Sequence, residues 1–349
     1  MQTTKTPLKL KLLFWLNLGL ISTFFAEVIS GSDMFPYFNS WGIFVVIPLY
    51  LLHSLVLITI IYRKGRPTLA TLYFAGTLFG LYEAYLTKVL WNPDWGAAIK
   101  IGEVAVFEVI VLVLFWHAWM SFIFPLLAMD TWLTKTNEIL SGFPARLQRL
   151  FHGRRGWVIL AILSGLFISI NAPSAEKALL SGLGSIAVLG TFGFIFRRTL
   201  RNHNYTITDL LPNKNQLRLL IGSLGLMYLV LGVGLRPDMF PPFSGHFVIW
   251  ILYGFCTWMF ILALRASKSQ TSDTHLQDEA VSKSVRPTLW LGAMVTFTLV
   301  AVLAEVFLVA IEGIIGAIGW FGISVPGILS LVILTRQVLR NRKNLNTPT

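Results

Sequence analysis

The sequence predicts an all-α protein, a polytopic bundle of about ten transmembrane helices with both its N-terminus and its C-terminus in the cytoplasm. Three observations lead to this prediction. Hydrophobic residues make up 55% of the 349 residues and charged residues only 13%, about half the charged fraction of a soluble domain. The apolar residues form runs of roughly 20, the length that crosses ~30 Å of hydrocarbon as a helix. Lys and Arg are concentrated in alternate inter-helical segments.

Helices are expected because a backbone inside lipid must satisfy its own hydrogen bonds. The alternating pattern of transmembrane strands is absent from the sequence. The ten predicted spans cover approximately residues 10–30, 41–62, 68–91, 101–129, 156–171, 178–196, 219–235, 246–264, 287–311 and 314–335.

The distribution of basic residues sets the predicted orientation. With the N-terminus inside, 24 of the 28 Lys and Arg residues fall in inner segments, and only Lys88, Lys100, Lys177 and Arg236 fall outside. This bias follows the positive-inside rule and supports an even number of spans. It also explains the formal net charge of +12 without nucleic acid as a partner, because basic inner loops meet anionic lipid. Membrane lipids are therefore the expected partners.

We predict a single integral membrane domain over residues 1–349. The segment 265–286 is rich in Ser, Thr and Gln and is the most linker-like stretch, so it could separate residues 1–264 from residues 287–349. The loop 131–155 mixes apolar with basic residues, and we expect it to lie along the inner membrane surface. The single cysteine, Cys256, excludes an internal disulfide.

Ionisable side chains inside the predicted spans are the candidate functional residues. A charge at the centre of a membrane helix costs roughly 2.5–3.5 kcal/mol on the insertion scale, so it needs an explanation. Protonation or a partner relieves that cost. The acids all fall in the outer part of the membrane by the predicted topology, and the histidines near its middle. The candidates are Glu83, Glu108, Glu305, Glu27, Glu312, His53 and His117.

The stretch 79–91 places an acid and a base in one predicted helix. Glu83 and Lys88 are five residues apart, about 140° around a helix, so they are not expected to pair with each other. Each could find a partner on another helix, but the sequence favours Lys88 as an interface anchor that extends its amine to the outer surface. Gly76 and Gly80 form a Gly-x-x-x-Gly motif, which permits close helix packing beside Glu83.

Spacing also predicts how other candidates are arranged. Glu305 and Glu312 are seven residues apart and are expected to share a helix face. Glu108 and His117 are nine apart and are expected on opposite faces of one helix. The alternative for Glu27 and Glu312, as for Glu103, is a carboxylate solvated at the interface. For His53 and His117 it is a hydrogen-bonded core histidine, and for the deeper glutamates it is a structural bond between helices.

Two segments carry a resemblance to a known group. One is Glu27-Val28-Ile29-Ser30-Gly31-Ser32 followed by Phe35-Pro36 and Phe38-Asn39, and the other runs from Phe79-Gly80-Leu81-Tyr82-Glu83-Ala84 to Trp91-Asn92-Pro93-Asp94-Trp95. Together they resemble a group of prokaryotic multi-pass membrane proteins without an established function. The resemblance covers the first third of the chain and implies a prokaryotic cell membrane but no activity. The group often has two adjacent acids where this chain has Glu83-Ala84.

The same helix has a weaker likeness to the CPBP intramembrane proteases of the CAAX-processing type. Their Glu-Glu-x-x-x-Arg motif is similar to the segment from Glu83 to Lys88, which has one acid of the two and Lys in place of Arg. Their Phe-x-x-x-His motif is missing, because Val113 precedes His117 by four residues and Leu49 precedes His53.

Three functions follow from these observations. The first is transport or binding of a small molecule or an ion through an outward-facing cavity lined by carboxylates, with histidines beneath that could relay protons. The second is an intramembrane enzyme acting on a lipid-borne substrate, which requires a carboxylate and an imidazole within a few ångströms. The third is a structural subunit. No phosphate-binding Gly-x-x-x-x-Gly-Lys-[Ser/Thr] loop occurs, so we expect no nucleotide cofactor, and a metal ligand stays open.

Overall fold

The computed structural model describes residues 6–93, 99–134, 136–200, 205–269 and 287–345. Trp95 and most of the predicted linker, residues 270–286, lie outside the described residues. Within these ranges the chain is almost entirely helical, which confirms the all-α prediction. The helices are α1 (Leu8–Val28), α2 (Gly42–Lys64), α3 (Leu69–Thr87), α4 (Val106–Thr134), α5 (Glu138–Ser141), α6 (Ala145–His152), α7 (Arg154–Ser169), α8 (Ala175–Leu200), α9 (Ile207–Leu210), α10 (Lys214–Gly234), α11 (Phe243–Ser269), α12 (Pro287–Phe307) and α13 (Glu312–Leu345).

Eight of the described helices are long and apolar enough to cross a membrane, namely α1, α2, α4, α8, α10, α11, α12 and α13. The polytopic prediction is thereby confirmed. The other two predicted spans are also helices. Helix α3 has 19 residues but carries Glu83. Helix α7 has only 16 residues and is therefore about 24 Å long, shorter than the ~30 Å hydrocarbon layer.

The fourth predicted span begins five residues later than expected. Strands β1 (Lys100–Ile101) and β2 (Val104–Ala105) pair as an antiparallel hairpin before α4 starts. Its two turn residues, Gly102 and Glu103, both have positive φ, at 52° and 67°. Positive φ at both central residues is what a tight two-residue hairpin loop requires. Glu103 is therefore an exposed turn residue outside the span.

Helix α4 is π-helical over most of its length. Residues Val109–Ile123 and Met129–Thr134 are π-helical, and the α-helical turn Phe124–Ala128 between them contains Pro125. Each π-turn takes more residues than an α-turn, because its hydrogen bonds close over i to i+5. We predicted that Glu108 and His117 lie on opposite faces because we assumed α-helical spacing. That spacing does not apply to the π-helical residues between them.

The backbone contacts group the described residues into two compact units. Unit 1 falls within Met1–Leu55, Phe124–Asn213 and Thr274–Gly319, and unit 2 within Val56–Ile123, Lys214–Asp273 and Trp320–Thr349. In unit 1, α12 packs against α7 and α8, and α1 packs against α8. Trp132 and Trp290 stack at the cytoplasmic end predicted for unit 1, with ring centroids 4.1 Å apart. The prediction of one domain over the whole chain stays a prediction.

In unit 2, α3 is the central helix, and 14 of its 19 residues are buried. It packs most extensively on residues 109–123 of α4 and next on α11. A Cβ added to Gly76 would lie 2.7 Å from Cα of Ala118, and one added to Gly80 would lie 2.9 Å from Cβ of His117. The Gly-x-x-x-Gly motif therefore has the packing role that was predicted, and it brings α4 directly against α3.

Candidate functional site

The candidate site of unit 2 is a pair of ionisable side chains, Glu83 on α3 and His117 on α4. Nε2 of His117 lies 3.0 Å from Oε2 of Glu83, and the two side chains are 5% and 14% exposed. The glutamate therefore provides most of the accessible surface of the pair. Gly80, one turn before Glu83, lets the Val113 backbone and the His117 side chain approach α3, so the helix contact and the Glu83–His117 contact depend on the same residue.

The contact made by the second ring nitrogen of His117, Nδ1, indicates which ring nitrogen carries a hydrogen. Nδ1 lies 2.9 Å from the carbonyl oxygen of Leu112, and a carbonyl oxygen only accepts, so Nδ1 carries a hydrogen. Nε2 then faces the carboxylate with one further proton between them. That proton belongs either to an imidazolium beside a carboxylate or to a carboxylic acid that donates to a neutral imidazole. The Leu112 carbonyl therefore holds the His117 ring with Nε2 directed at the carboxylate.

The surroundings of the pair are aromatic. The ring of Phe79 meets the His117 ring edge to face at a centroid distance of 5.7 Å. Among the described residues no three His, Cys, Asp or Glu side chains lie close enough together to hold a metal ion.

Lys88 does not reach the outer surface, so the prediction of an interface anchor was wrong. Its side chain is fully buried, and its ammonium group donates to the carbonyl oxygens of Gly232, at 2.7 Å, and Leu235. It also lies 4.6 Å from the ring centroid of Phe240. These carbonyls belong to the C-terminal end of α10, where the helix dipole favours a cation. Lys88 therefore caps α10 from the end of α3.

A tyrosine cluster beside Glu83 was missed by sequence reasoning. The rings of Tyr82 and Tyr85 contact Tyr228 at centroid distances of 4.7 and 5.8 Å. The Tyr85 hydroxyl lies 2.7 Å from Nδ1 of His246. The repeated Tyr at 82 and 85 was a visible signal, but nothing in the sequence showed that α10 and α11 would meet it.

In unit 1, Glu27 is held by hydroxyl groups. Oε1 accepts a hydrogen bond of 2.6 Å from Tyr50, and Oε2 accepts one from Ser32. The Ser32 hydroxyl lies 2.7 Å from that of Ser30, whose carbonyl oxygen accepts from Nδ2 of Asn171. The segment from Glu27 to Ser32, which carried the resemblance, is thus a hydrogen-bonded end of α1. Glu27 is partly buried rather than an open interfacial carboxylate.

The rest of that loop is fixed in the same way. Asp33 accepts from the backbone N–H of Phe35 and from Nδ2 of Asn39, and the side-chain carbonyl of Asn39 accepts from the N–H of Gly42. The Tyr37 hydroxyl donates to the carbonyl oxygen of Leu20, and burial raises the pKa of Tyr37 well above its ordinary value. These hydrogen bonds make the loop a compact segment between α1 and α2.

Glu305 and Glu312 do not share a helix face, because α12 ends at Phe307 and α13 begins at Glu312. A short 3₁₀ segment, Val309–Ile311, separates the two helices. The spacing rule assumed one continuous helix, which the turn breaks. Both glutamates nevertheless line one shallow cleft with Ser169 of α7.

The remaining candidates are buried. Glu108 is 3% exposed and His53 is 2% exposed, and Nδ1 of His53 lies 2.8 Å from the carbonyl oxygen of Leu49. The histidine therefore has the hydrogen-bonded core environment that was its alternative interpretation. Of the seven candidates, Glu83, Glu108 and His117 belong to unit 2, and Glu27, His53, Glu305 and Glu312 belong to unit 1.

Another buried acid, Asp130, was not among the candidates. It is fully buried in unit 1 and accepts hydrogen bonds from the backbone N–H of Ile139, at 2.8 Å, and the hydroxyl of Thr136, at 2.7 Å. These bonds hold the start of α5 against the end of α4. Its role is structural, since its oxygens are used to order the turn.

Comparisons with known proteins agree with this architecture. Residues 16–341 match the model of an uncharacterised membrane protein family. An uncharacterised protein of Archaeoglobus fulgidus is 35% identical over 274 residues, which cover 77% of this chain and 83% of the relative. No solved structure matches the chain. The likeness to the CPBP proteases stays a hypothesis. With nearly its whole length matched, the chain belongs to this uncharacterised family of membrane proteins.

Proposed function

We propose that this protein transports or binds a small molecule or an ion in a prokaryotic cell membrane, and that the Glu83–His117 pair carries the proton linked to that process. The observation that supports the proposal is the 3.0 Å contact between Nε2 and Oε2, with Nδ1 tied to the Leu112 carbonyl. Ionisable groups inside a membrane protein commonly form proton relays or substrate sites.

Loss of the shared proton would force the Glu83 and His117 side chains apart. With Nδ1 protonated, a deprotonated pair places two acceptors, Nε2 and Oε2, 3.0 Å apart. Two facing acceptors repel, so the side chains must separate or a cation must enter between them. Because α3 and α4 are in close contact at Gly80, against the Val113 backbone and Cβ of His117, such a separation shifts the two helices or rotates a side chain. Proton exchange can in this way be coupled to opening of the outward-facing cavity that we propose.

The test uses purified full-length protein in liposomes that enclose a pH-sensitive dye. Sodium, potassium, amino acids, organic acids and organic cations are added outside, one at a time. We expect at least one of them to change the internal pH faster than in protein-free liposomes. Glu83→Gln and His117→Gln should abolish that change. Glu103→Gln is the matched control, because it removes an exposed carboxylate of the same unit.

Two results would contradict the proposal. One is a wild-type protein that gives no response to any of the solutes. The other is a response that persists in both Glu83→Gln and His117→Gln. Gel filtration of each variant confirms that it is folded before its flux is compared.

The second candidate is an intramembrane enzyme, and the same contact favours it, because it provides the carboxylate and imidazole that such a reaction needs. In the structure, however, both ring nitrogens of His117 are engaged, one by Leu112 and the other by Glu83. A general base needs a nitrogen that faces its substrate. Hydrolysis of lipid-linked peptides or esters by the purified protein, lost in His117→Gln, would favour the enzyme over the transporter.

A further inference from the structure

A basic surface at the turn between α6 and α7 lies outside the proposed proton site. Arg146 and Arg149 on α6 and Arg154 and Arg155 at the start of α7 are all exposed, as is His152. Arg146, Arg149 and His152 recur every three residues and therefore share one side of α6. We call these five residues the basic turn.

The opposite side of α6 is apolar and fixed to unit 1. Phe151 is buried against Phe124, at a centroid distance of 5.7 Å, and against Trp157, at 5.6 Å. The indole N–H of Trp157 donates to the carbonyl oxygen of Phe151 at 3.1 Å. Nε2 of Gln148 donates to the carbonyl oxygen of Phe143 at 2.7 Å. The basic side chains are therefore displayed from a firmly held backbone.

The charge of this surface is strongly one-sided. Within the described residues 136–157 the acid is Glu138, which is partly buried, against four exposed arginines. The positive-inside orientation places the turn at the cytoplasmic surface, where leaflets carry anionic headgroups. Because the apolar side of α6 packs against the protein, its basic side is the one that can face these headgroups.

We propose that the basic turn is a binding site for the headgroups of anionic phospholipids. Arginine binds phosphate oxygens with two parallel N–H donors, and a fixed set of arginines loses less conformational freedom on binding than a mobile loop. Arg154 and Arg155 follow α6 directly, so the two groups of arginines meet one headgroup region. The lipid then holds α6 in the plane of the membrane. This inference is independent of the proton site.

The test is native mass spectrometry of the full-length protein in detergent with phosphatidylglycerol or phosphatidylcholine of the same acyl chains. We expect at least about tenfold tighter binding of phosphatidylglycerol, because its headgroup carries a net negative charge that the arginines can pair with, whereas phosphatidylcholine is zwitterionic. The triple variant Arg146→Gln, Arg149→Gln, Arg155→Gln should lose most of that preference. The matched triple, Arg336→Gln, Arg340→Gln, Arg342→Gln on α13, should keep it within about twofold.

Further controls separate the alternatives. Arg→Lys at the same three positions keeps the charge and should retain most of the preference, which shows that a loss in the Gln triple is not a folding defect. Three results would overturn the proposal: equal affinity for both lipids, equal losses in the two Gln triples, or complete displacement of phosphatidylglycerol by millimolar inorganic phosphate. The last would make free phosphate the ligand.

Discussion

Glu83 in unit 2 and Glu27 in unit 1 are both glutamates near the end of a helix, yet their partners differ. Glu83 meets an imidazole at 3.0 Å, whereas Glu27 meets the hydroxyls of Tyr50 and Ser32. An imidazole can hold the proton itself and carry its charge. A hydroxyl only donates a hydrogen bond to the carboxylate.

This difference separates the site that we propose for proton exchange from a structural hydrogen bond. At Glu27 the hydroxyl donors tie α1 to α2 and to the loop that follows α1, and the bonds stabilise a folded turn. At Glu83 the presence of one proton between Nε2 and the carboxylate decides whether the two groups attract or repel. The partner's chemistry, more than the depth of the carboxylate, therefore separates the two candidates.

The largest effect is expected from His117→Ala. Removing one member of a buried ion pair costs about 3–5 kcal/mol of unfolding free energy, because the other charge stays buried. Denaturant unfolding in detergent measures it, with the exposed His152→Ala as control. Adding Glu83→Gln should recover part of the loss, because it removes the remaining charge. No recovery in the double variant would argue that His117 matters for packing alone.

Gly80→Ala should have the next largest effect, a loss of up to about 3 kcal/mol, because an added methyl group overpacks the contact between α3 and α4. Its Cβ would lie 3.0 Å from Cα of Val113 as well as against His117. Gly222→Ala is the control, since a Cβ there meets nothing within 4 Å. If the two variants were equally stable in the same unfolding assay, the close approach at Gly80 would not be limiting.

Tyr50→Phe should cost about 1.5 kcal/mol, the value of a hydrogen bond to a charged group, since the Ser32 bond to Glu27 remains. It should leave solute-driven pH changes in liposomes intact, in contrast to His117→Gln. A Tyr50→Phe protein that was stable but had lost its response would place Glu27 in the proton pathway and remove the distinction drawn here.

Glu103→Gln should have the smallest effect, within about 0.5 kcal/mol, as is usual for exposed positions. Its side chain lies in the hairpin turn before α4. Thermal unfolding in detergent and the liposome response should both match the wild type. A marked change in either would show that the outer hairpin contributes to function.

Much of the fold was predictable because apolar run length and the bias of basic residues are strong signals. The close packing at Gly76 and Gly80 also followed from a sequence motif. The partner of Glu83 did not follow from the sequence. Contacts between helices depend on how each helix is rotated about its axis and on the π-helical winding of α4, which no local pattern revealed. Lys88 was misplaced for a related reason: its acceptors are backbone carbonyls of α10, and such acceptors have no residue-type signature.

Because Lys88 is buried, α3 connects its contact with α4 to its contact with the end of α10. Glu83 and Lys88 lie about 7.5 Å apart along the chain axis at 1.5 Å per residue, one engaged with α4 and the other with the end of α10. If the Glu83–His117 pair exchanges a proton as we propose, a displacement of α3 at that pair would also move Lys88 and, with it, the end of α10. The five residues from Glu83 to Lys88 would then couple the protonation of the pair to the position of a helix terminus.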